Sequence, residues 1–204
     1  MIKNVFKSQR DNENTLIQHL VEGDSAAFEH VVAEYHNLML SVARAIVGDS
    51  IADEVVQEAW ISAIKALPKF EARSSLKTWL VQIVSNGAKS RIRRENRYTS
   101  LDIGWEAVPS DKFDPTGHRI NDVLPWDIAT PEAMLANTQL QKTIEQAFRS
   151  LPAMQRATIT MIDMEGYKID EVCNILALSS SNARVLLHRA RVAVHNAIEL
   201  YQDK

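Results

Sequence analysis

Apolar residues in this chain recur at steps of three and four over long stretches, which is typical of helices with one buried face. The clearest run lies between Gly23 and Gly48, with apolar residues at Phe28, Val31, Val32, Tyr35, Leu38, Val42, Ile46 and Val47. Only 6 glycines and 6 prolines occur among 204 residues, which disfavours an all-β fold with its many turns. The sequence therefore predicts an all-α protein.

Capping residues and helix breakers divide the first half into four helices. A short first helix around Leu16, Ile17, Leu20 and Val21 is expected to stop near Gly23, and Asp24 or Ser25 is expected to cap the second. The third begins near Ser50, with Asp53 in a capping-box-like position, and Pro68 prevents its continuation. Its inward residues are predicted to be Ile51, Val55, Val56, Trp60, Ala63, Ile64 and Leu67. Ser74 or Ser75 caps the fourth, whose apolar residues are Leu76, Trp79, Leu80, Ile83 and Val84.

Four of the 6 prolines lie between residues 101 and 132, in a stretch without a sustained apolar period. We interpret it as an acidic linker between two helical domains. The predicted boundaries are 1–98 for the N-terminal domain, 99–130 for the linker and 131–204 for the C-terminal domain. Trp105 and Trp126 within the linker are candidate anchors to a domain surface or a partner.

The C-terminal domain is predicted to open at Thr130-Pro131-Glu132, which pairs an N-cap with a proline at the first helical position. After Pro152 a helix is expected to run to Gly166, followed by a short helix with Ile169, Val172, Ile175 and Leu176 inward. A turn at residues 177–179 precedes a last helix carrying Val185, Leu186, Ala190 and Val194. Two helices joined by a tight turn, the second rich in arginine, predict a helix-turn-helix.

Charge is distributed in blocks, although the net charge is only −3. Residues 11–60 hold 10 acids and one base, and residues 65–97 hold 9 bases and 2 acids. Residues 101–132 hold 7 acids and 2 bases, and residues 179–195 hold three arginines and no acid. Blocks of opposite sign indicate partners of different charge, and the basic ones are candidates for phosphate contact. The competing interpretation is a set of solvated helix faces.

The residue patterns of common catalytic and metal sites are missing from this sequence. It has no glycine-rich phosphate loop, no GxSxG and no HExxH, and its one cysteine, Cys173, is expected to be a packed thiol. His30 and His36 are six residues apart and do not share a helix face. We therefore expect a binding protein with no catalytic residues, no metal and no cofactor. Without a signal peptide or membrane span, it is expected to be cytoplasmic.

Several motifs, in order, resemble those of the extracytoplasmic-function (ECF) sigma factors, the small members of the bacterial sigma-70 family. In the first domain they are Asp53-Glu54-Val55-Val56-Gln57-Glu58-Ala59-Trp60, Phe70-Glu71-Ala72-Arg73-Ser74-Ser75-Leu76-Lys77-Thr78-Trp79-Leu80 and Ile83-Val84-Ser85-Asn86-Gly87-Ala88-Lys89. In the second they are Leu151-Pro152-Ala153-Met154-Gln155-Arg156, Glu165-Gly166-Tyr167 and His188-Arg189-Ala190-Arg191. The resemblance implies a subunit that directs core RNA polymerase to specific promoters and traps the melted minus-ten strand.

The resemblance also implies roles for residues of the first domain. The third helix would dock on the β′ clamp helices of the polymerase, where an acidic face suits a basic helical partner. Its polar contacts would be Asp53, Glu54, Gln57 and Glu58. The loop at residues 69–75 and the helix after it would hold the minus-ten strand, which needs a basic groove and a base pocket. The implied contacts are Lys69, Arg73, Ser74, Ser75, Lys77, Asn86, Lys89, Arg91, Arg93 and Arg94. Trp79 is a candidate for base stacking, although its apolar spacing favours core packing.

In the second domain, the last helix resembles the family's recognition helix for the minus-thirty-five element. The expected contacts are Ser181, Asn182, Arg184, His188, Arg189 and Arg191, the last at a phosphate or as a helix-end charge. Ser181-Asn182-Ala183 departs from the glycine-threonine-valine often found there. Val185 and Leu186 replace a frequent polar-basic pair, so that they contact either thymine methyl groups or the domain core.

The implied partners are core RNA polymerase (the β′ clamp and the β subunit), promoter DNA and an anti-sigma factor. In this family the linker can pass through the polymerase cleft, and a solvated tether is the competing interpretation. The alternative function is a stand-alone helix-turn-helix regulator that binds duplex operators. A regulator of that kind needs neither an acidic docking helix nor a single-strand site, and those features favour the sigma factor.

Overall fold

A computed structural model describes the backbone of residues 2–96 and 138–202 and the side chains of residues 12–94 and 139–201. The chain divides into two compact units, Met1–Ser100 and Leu101–Lys204, and each is described by itself. The described residues form helices and turns without a strand, which confirms the all-α prediction. The predicted linker, its Trp105 and Trp126, and the start at Thr130-Pro131-Glu132 lie outside these residues. Within the same ranges, no helix has the length and apolar character needed to cross a bilayer.

Four helices and one short turn make up the first unit. They are α1 (Ile2–Val21), α2 (Ser25–Val47), α3 (Asp49–Ala66), a 3-10 turn (Leu67–Lys69) and α4 (Leu76–Asn96). Helices α2, α3 and α4 all pack on one another, and α1 lies against α2 and the 3-10 turn. Branched side chains and alanines fill the centre, with Val42, Ala52, Val56, Val84 and Ala88 completely buried. The small residues allow close approach of the helices, which is how so short a unit obtains a dense core.

The ends of α2 follow the predicted capping chemistry. Asp24 accepts hydrogen bonds from the N–H groups of Ala26 and Ala27, at 2.9 and 3.5 Å. Gly48 ends the helix with φ of +82°, a conformation that glycine adopts without steric cost. Helix α3 begins at Asp49, one residue from the predicted start near Ser50, but the capping box expected there does not form, because Gly48 precedes the helix and no side chain caps it. The first helix is also long rather than short, with 20 residues.

Two residues predicted to face the core are exposed instead. Val32 is 39% exposed and Ile64 is 51% exposed. On α2, Val31 and Met39 line the buried side. Met39 and several alanines, which were not in the predicted apolar run, complete that side. On α3, Ala52, Val55, Val56, Ala59 and Ala63 suffice for the core, and Ile64 lies beyond that face.

The second unit contains α5 (Thr138–Ser150), α6 (Ala153–Ile159), a π turn (Thr160–Met164), α7 (Ile169–Leu176) and α8 (Ser180–Gln202). Helix α8 packs against α5, α6 and α7. One apolar cluster joins α5 and α8 around Leu140, Ala147, Leu151, Ile159, Ala190, Val194 and Ile198. The core of this unit is therefore organised around its last helix.

The predicted continuous helix to Gly166 was wrong in its last turn. The α-helical pattern ends at Ile159, and the chain continues in a wider π turn in which the Glu165 N–H donates to the Thr160 carbonyl at 3.0 Å. This turn keeps Thr160 and Met161 buried. Gly166 then reverses the chain with φ of +71°.

Helices α7 and α8 form the predicted helix-turn-helix. Ala177 ends α7 in the left-handed conformation, with φ of +57°. The Leu178 N–H donates to the Cys173 carbonyl at 2.9 Å, and Ser179 Oγ accepts from the Asn182 N–H at 3.2 Å at the start of α8. An alanine thus occupies a position that usually favours glycine, which explains why no glycine marks this turn in the sequence.

Candidate functional site

Helix α3 presents an acidic outward face. Asp53, Glu54, Gln57 and Glu58 are all exposed, whereas Val55 and Val56 between them are at most 1% exposed. Steps of three and four residues place these polar side chains on one side of the helix. The four residues predicted for polymerase docking therefore share a solvent-facing surface.

Two exposed isoleucines extend this face toward the end of α3. Ile61 is 53% exposed and Ile64 is 51% exposed. Ile61 follows Gln57 by one helical turn, so the acidic residues and these apolar residues form one continuous strip. Ile61 was not among the residues predicted for this surface, although its four-residue step from Gln57 was the available signal.

The connecting loop (residues 70–75) leads from the 3-10 turn into α4. Arg73, Ser74 and Ser75 are exposed in this loop, as is Lys69 at the end of the 3-10 turn, and Arg73 forms an ion pair with Glu71. Ala72 has φ of +49°, which is rare for a residue with a side chain. Such conformations persist only where surrounding contacts enforce them, and they cluster at functional sites.

The rings of Phe70 and Trp79 are in contact beside this loop, with centroids 4.6 Å apart and planes inclined by 34°. Both side chains are half-buried. Trp79 is therefore partly engaged in packing, in line with the spacing argument that favoured packing over base stacking.

Two side chains hold the start of α4. Ser75 Oγ accepts from the Thr78 N–H at 3.2 Å, so of the two predicted caps it is Ser75 that caps the helix. Glu13, on α1, accepts from the Leu76 N–H through Oε1 at 2.6 Å. Glu13 stands 63 positions before Leu76, and no local pattern in the sequence could have indicated this contact.

The outward side of α4 carries Asn86, Arg93 and Arg94, all of them exposed. Gln82 and Ser90 are exposed as well and complete a row with Asn86 and Arg94 at four-residue steps. Lys77, near the start of the helix, is half-buried. A polar strip that ends in two arginines is suited to follow a phosphate backbone.

Two of the predicted DNA contacts, Lys89 and Arg91, are engaged within the first unit. Lys89 is 6% exposed, and burial, followed by the charge of Arg93, lowers the pKa of its ammonium group. Arg91 forms a two-pronged ion pair with Glu54 on α3, with N–O distances of 2.9 and 3.0 Å. This pair connects the acidic face of α3 with the basic helix.

On α8, Ser181, Arg184 and His188 share one face, because they are separated by three and four residues. Ser181 and Arg184 are exposed and His188 is half-buried. Asn182 and Arg189 are seven residues apart, share an adjacent face and are half-buried. Five of the six predicted contacts thus lie on two neighbouring faces of α8.

Arg191, the sixth predicted contact, is held by Asp163 of the π turn. Its Nε and Nη2 donate to the two carboxylate oxygens at 2.9 and 2.6 Å. These hydrogen bonds to Asp163 raise the pKa of Arg191. The contact ties α8 to the π turn and identifies a structural role for the arginine.

The structure also resolves alternatives for other residues of this unit. Val185 and Leu186 are 9% and 6% exposed and belong to the core. Cys173 is half-buried, and burial raises the pKa of its thiol. A raised pKa disfavours the reactive thiolate.

The histidines of the first unit lie in separate environments. His36 accepts a hydrogen bond from Trp60 Nε1–H at 3.4 Å, across the contact of α2 and α3. His30 lies near Glu34 of its own helix at 3.5 Å. Over residues 2–96 and 138–202, no group of three metal-binding side chains converges.

Fold and surfaces together define a two-unit helical protein whose second unit is a helix-turn-helix. The family model described as sigma-70 region 2 matches residues 31–98, and the one described as sigma-70 region 4 matches residues 141–194. Together the two matches span more than half of the chain. The chain belongs to the sigma-70 family of RNA polymerase sigma factors, and within it to the ECF group.

Curated relatives cover nearly the whole chain. It is 28% identical over 193 residues to the ECF RNA polymerase sigma-E factor of Escherichia coli K12, covering 94% of this chain and 97% of the relative. It is 27% identical over 192 residues to the RNA polymerase sigma-H factor of Pseudomonas aeruginosa, covering 93% and 95%. These relatives therefore match both units in one alignment.

Two solved structures have a similar fold. One is the sigma factor RpoE in complex with the anti-sigma factor NepR from Bartonella quintana, with a TM-score of 0.59 and 18% identity over 84% of this chain and 96% of the other. The other is CnrH in complex with the cytosolic domain of CnrY, with a TM-score of 0.57 and 18% identity over 92% and 97%.

Proposed function

We propose that this protein directs core RNA polymerase to specific promoters and starts transcription by trapping the melted minus-ten strand. The observation that carries the proposal is the arrangement of the first unit. An acidic face on α3 and a basic loop and helix adjoin in one small region 2 unit, and a helix-turn-helix of the region 4 type follows it in the chain. A sigma factor needs surfaces for polymerase, for single-stranded DNA and for duplex DNA, and the proposal assigns one region of this chain to each.

The acidic face of α3 is the proposed polymerase-docking surface. Asp53, Gln57 and Glu58 would orient the protein on the basic clamp helices of β′, and the exposed Ile61 and Ile64 would add apolar contact area. Charged groups set orientation and association rate, while burial of apolar side chains supplies much of the affinity. Glu54 contributes less in this proposal, because Arg91 already engages its carboxylate.

The connecting loop and α4 are the proposed minus-ten site. Exposed Lys69, Arg73, Arg93 and Arg94 would contact phosphates, and Asn86 with Ser74 and Ser75 would contact the captured strand. Lys77 lies nearer the core, and Lys89 and Arg91 would act mainly within the unit. Opening duplex DNA costs about 1.4 kcal/mol in stacking for each base-pair step. Because the proposal involves no ATP chemistry, binding of the separated strand must offset that cost.

Helix α8 is the proposed reader of the minus-thirty-five element. Arg184 and Arg189 can pair with guanine, Asn182 can read adenine, and Ser181 and His188 lie within the same surface. Arg191 would stabilise the helix through Asp163 rather than contact DNA directly. The α8 surface therefore predicts recognition dominated by a few polar side chains.

A protein antagonist is proposed as a further partner. One solved structure with a similar fold is a complex of a sigma factor with the anti-sigma factor NepR, and another is a complex of CnrH with the cytosolic domain of CnrY. We expect an anti-sigma factor here to cover the α3 face. We propose a cytoplasmic, non-catalytic protein, since polymerase, promoter DNA and such a regulator would all act in that compartment.

The test is transcription with purified core polymerase and a promoter identified by sequencing the DNA that the reconstituted complex binds. We expect a stable complex with core and promoter-dependent transcripts. The stand-alone regulator, which is not favoured, predicts tight duplex binding by the chain alone with no effect of core. Absence of both a core complex and stimulated transcription would overturn the proposal.

A further inference from the structure

Helix α1 holds both ends of the connecting loop. It packs against the 3-10 turn Leu67–Lys69, which precedes the loop, and its Glu13 binds the first residue of α4, which follows it. The family model for region 2 begins at residue 31, so α1 lies outside the matched segment. A functional contribution of α1 is therefore not part of what that match describes.

The Glu13 contact fixes the start of α4. Glu13 is half-buried, and its Oε1 accepts from the Leu76 N–H at 2.6 Å. The Leu76 side chain is 1% exposed, so this end of α4 is anchored in the core. The first N–H groups of a helix have no partner within it, and a carboxylate both accepts from them and suits the positive end of the helix dipole.

Glu13 and Ser75 each accept a hydrogen bond from a different backbone N–H group at the start of α4. Ser75 Oγ accepts from Thr78, so Leu76 depends on the carboxylate from α1. The loop that ends here contains Ala72 with φ of +49° and is flanked by the paired rings of Phe70 and Trp79. A loop with an unfavourable backbone conformation requires firm ends to keep its shape.

We infer that Glu13 is a positioning residue for strand capture, which fixes the connecting loop by anchoring Leu76 from α1. The inference rests on the proposed function, because the loop is part of the proposed site for the captured minus-ten strand. Glu13 itself would touch neither DNA nor polymerase. Its loss would loosen the closing end of the loop and weaken discrimination among minus-ten bases, while leaving the α3 face unchanged.

The first measurement is amide hydrogen exchange at Leu76 in the full chain, which does not depend on any DNA activity. In Glu13→Ala we expect the exchange to accelerate by about ten-fold or more, as loss of a charged hydrogen bond would cause. Glu13→Gln keeps an acceptor oxygen and should lie closer to the original protein. Glu22→Ala removes an exposed acid just after α1 and should not change the exchange. Unchanged protection of Leu76 in Glu13→Ala would overturn the inference whatever the protein's function.

The second measurement is the base preference of the reconstituted holoenzyme on promoters with each minus-ten base replaced in turn. Glu13→Ala should reduce the preference at one or two positions by about ten-fold, as misplacement of a binding element can. Core affinity should stay within about two-fold, because distant sites are independent. If Glu13→Ala lowers binding to all promoters equally and also lowers affinity for core, the variant is simply unfolded and the inference is contradicted. If the original protein neither binds core nor prefers any base, the proposed function fails instead.

Discussion

Two arginines that the sequence pattern assigns to DNA are held by carboxylates of neighbouring segments. Arg91 is paired with Glu54 and Arg191 with Asp163, each through two N–O contacts. A paired arginine must give up these bonds before it can bind a phosphate, and its side chain already has a fixed geometry. Arg94 and Arg184, which are exposed on α4 and α8, are better placed to bind DNA directly.

This difference predicts distinct salt dependences for binding of a single-stranded minus-ten oligonucleotide by the holoenzyme. Arg94→Ala should reduce the slope of log K against log salt by about 0.7, the value for one phosphate contact on single strands. Arg91→Ala should change it by less than half as much. It should instead lower the unfolding free energy by about 0.5–1 kcal/mol, because its pair with Glu54 is partly exposed. Equal slopes for the two variants would contradict the assignment.

Lys89 predicts a pH effect on stability. Burial, then Arg93, lowers its pKa in the folded state, so between that pKa and 10.5 the unfolded chain binds more protons than the folded one. The contribution of Lys89 to the free energy of unfolding therefore rises with pH across that window. Lys89→Met should lack this rise in chemical unfolding measured from neutral pH to pH about 10. Lys65→Met, at an exposed position near the end of α3, is the control and should retain it.

Among the elements, the turn before the recognition helix uses an unfavourable residue. Ala177 has φ of +57°, a left-handed conformation that costs a residue with a side chain about 1–2 kcal/mol. Ala177→Gly should therefore raise the unfolding free energy of the second unit by about 0.5–1 kcal/mol, after the larger entropy of glycine in the unfolded chain is subtracted. Thermal unfolding provides the measurement.

A matched substitution within α8 should have the opposite sign. Ala193 is exposed in the middle of this helix, and Ala193→Gly should lower the unfolding free energy by about 1 kcal/mol. If both substitutions destabilise by the same amount, the left-handed turn at Ala177 is not the conformation in solution. The pair thus separates turn geometry from the general cost of adding glycine.

The periodic helices were predictable because their spacing records which side is buried. The helix cap at Asp24 and the helix-turn-helix were likewise predictable, since caps and turns depend on neighbouring residues in the sequence. The π turn at Thr160–Met164 was not, because this segment has neither glycine nor proline and nothing in its residue types distinguishes it from an α-helix. Contacts such as Glu13 with Leu76 join residues 63 positions apart and exist only after the helices pack. The residue types of the candidate site were therefore predictable, but the pairing of its charges was not.

The chain has two compact units, Met1–Ser100 and Leu101–Lys204, and the proposed mechanism divides recognition of DNA between them. In the proposed mechanism, the first holds separated bases through α4 and the second reads duplex through α8. Asn86 and Arg184 are the residues that test this division, since both are exposed on those helices. Neither is part of a core, so substitution of either should leave thermal unfolding nearly unchanged.

Opposite defects should follow from the two substitutions in the reconstituted holoenzyme. Asn86→Ala should slow promoter opening, measured by reactivity of unpaired thymines, and leave binding of a closed minus-thirty-five duplex nearly intact. Arg184→Ala should weaken duplex binding by about 1–3 kcal/mol if its contact with guanine is bidentate. On a promoter whose minus-ten region is already unpaired, binding should be far less sensitive to Arg184→Ala. There, contact of the first unit with the exposed strand supplies the free energy of binding. Equal loss of opening and duplex binding in both variants would mean that the two units do not act separately.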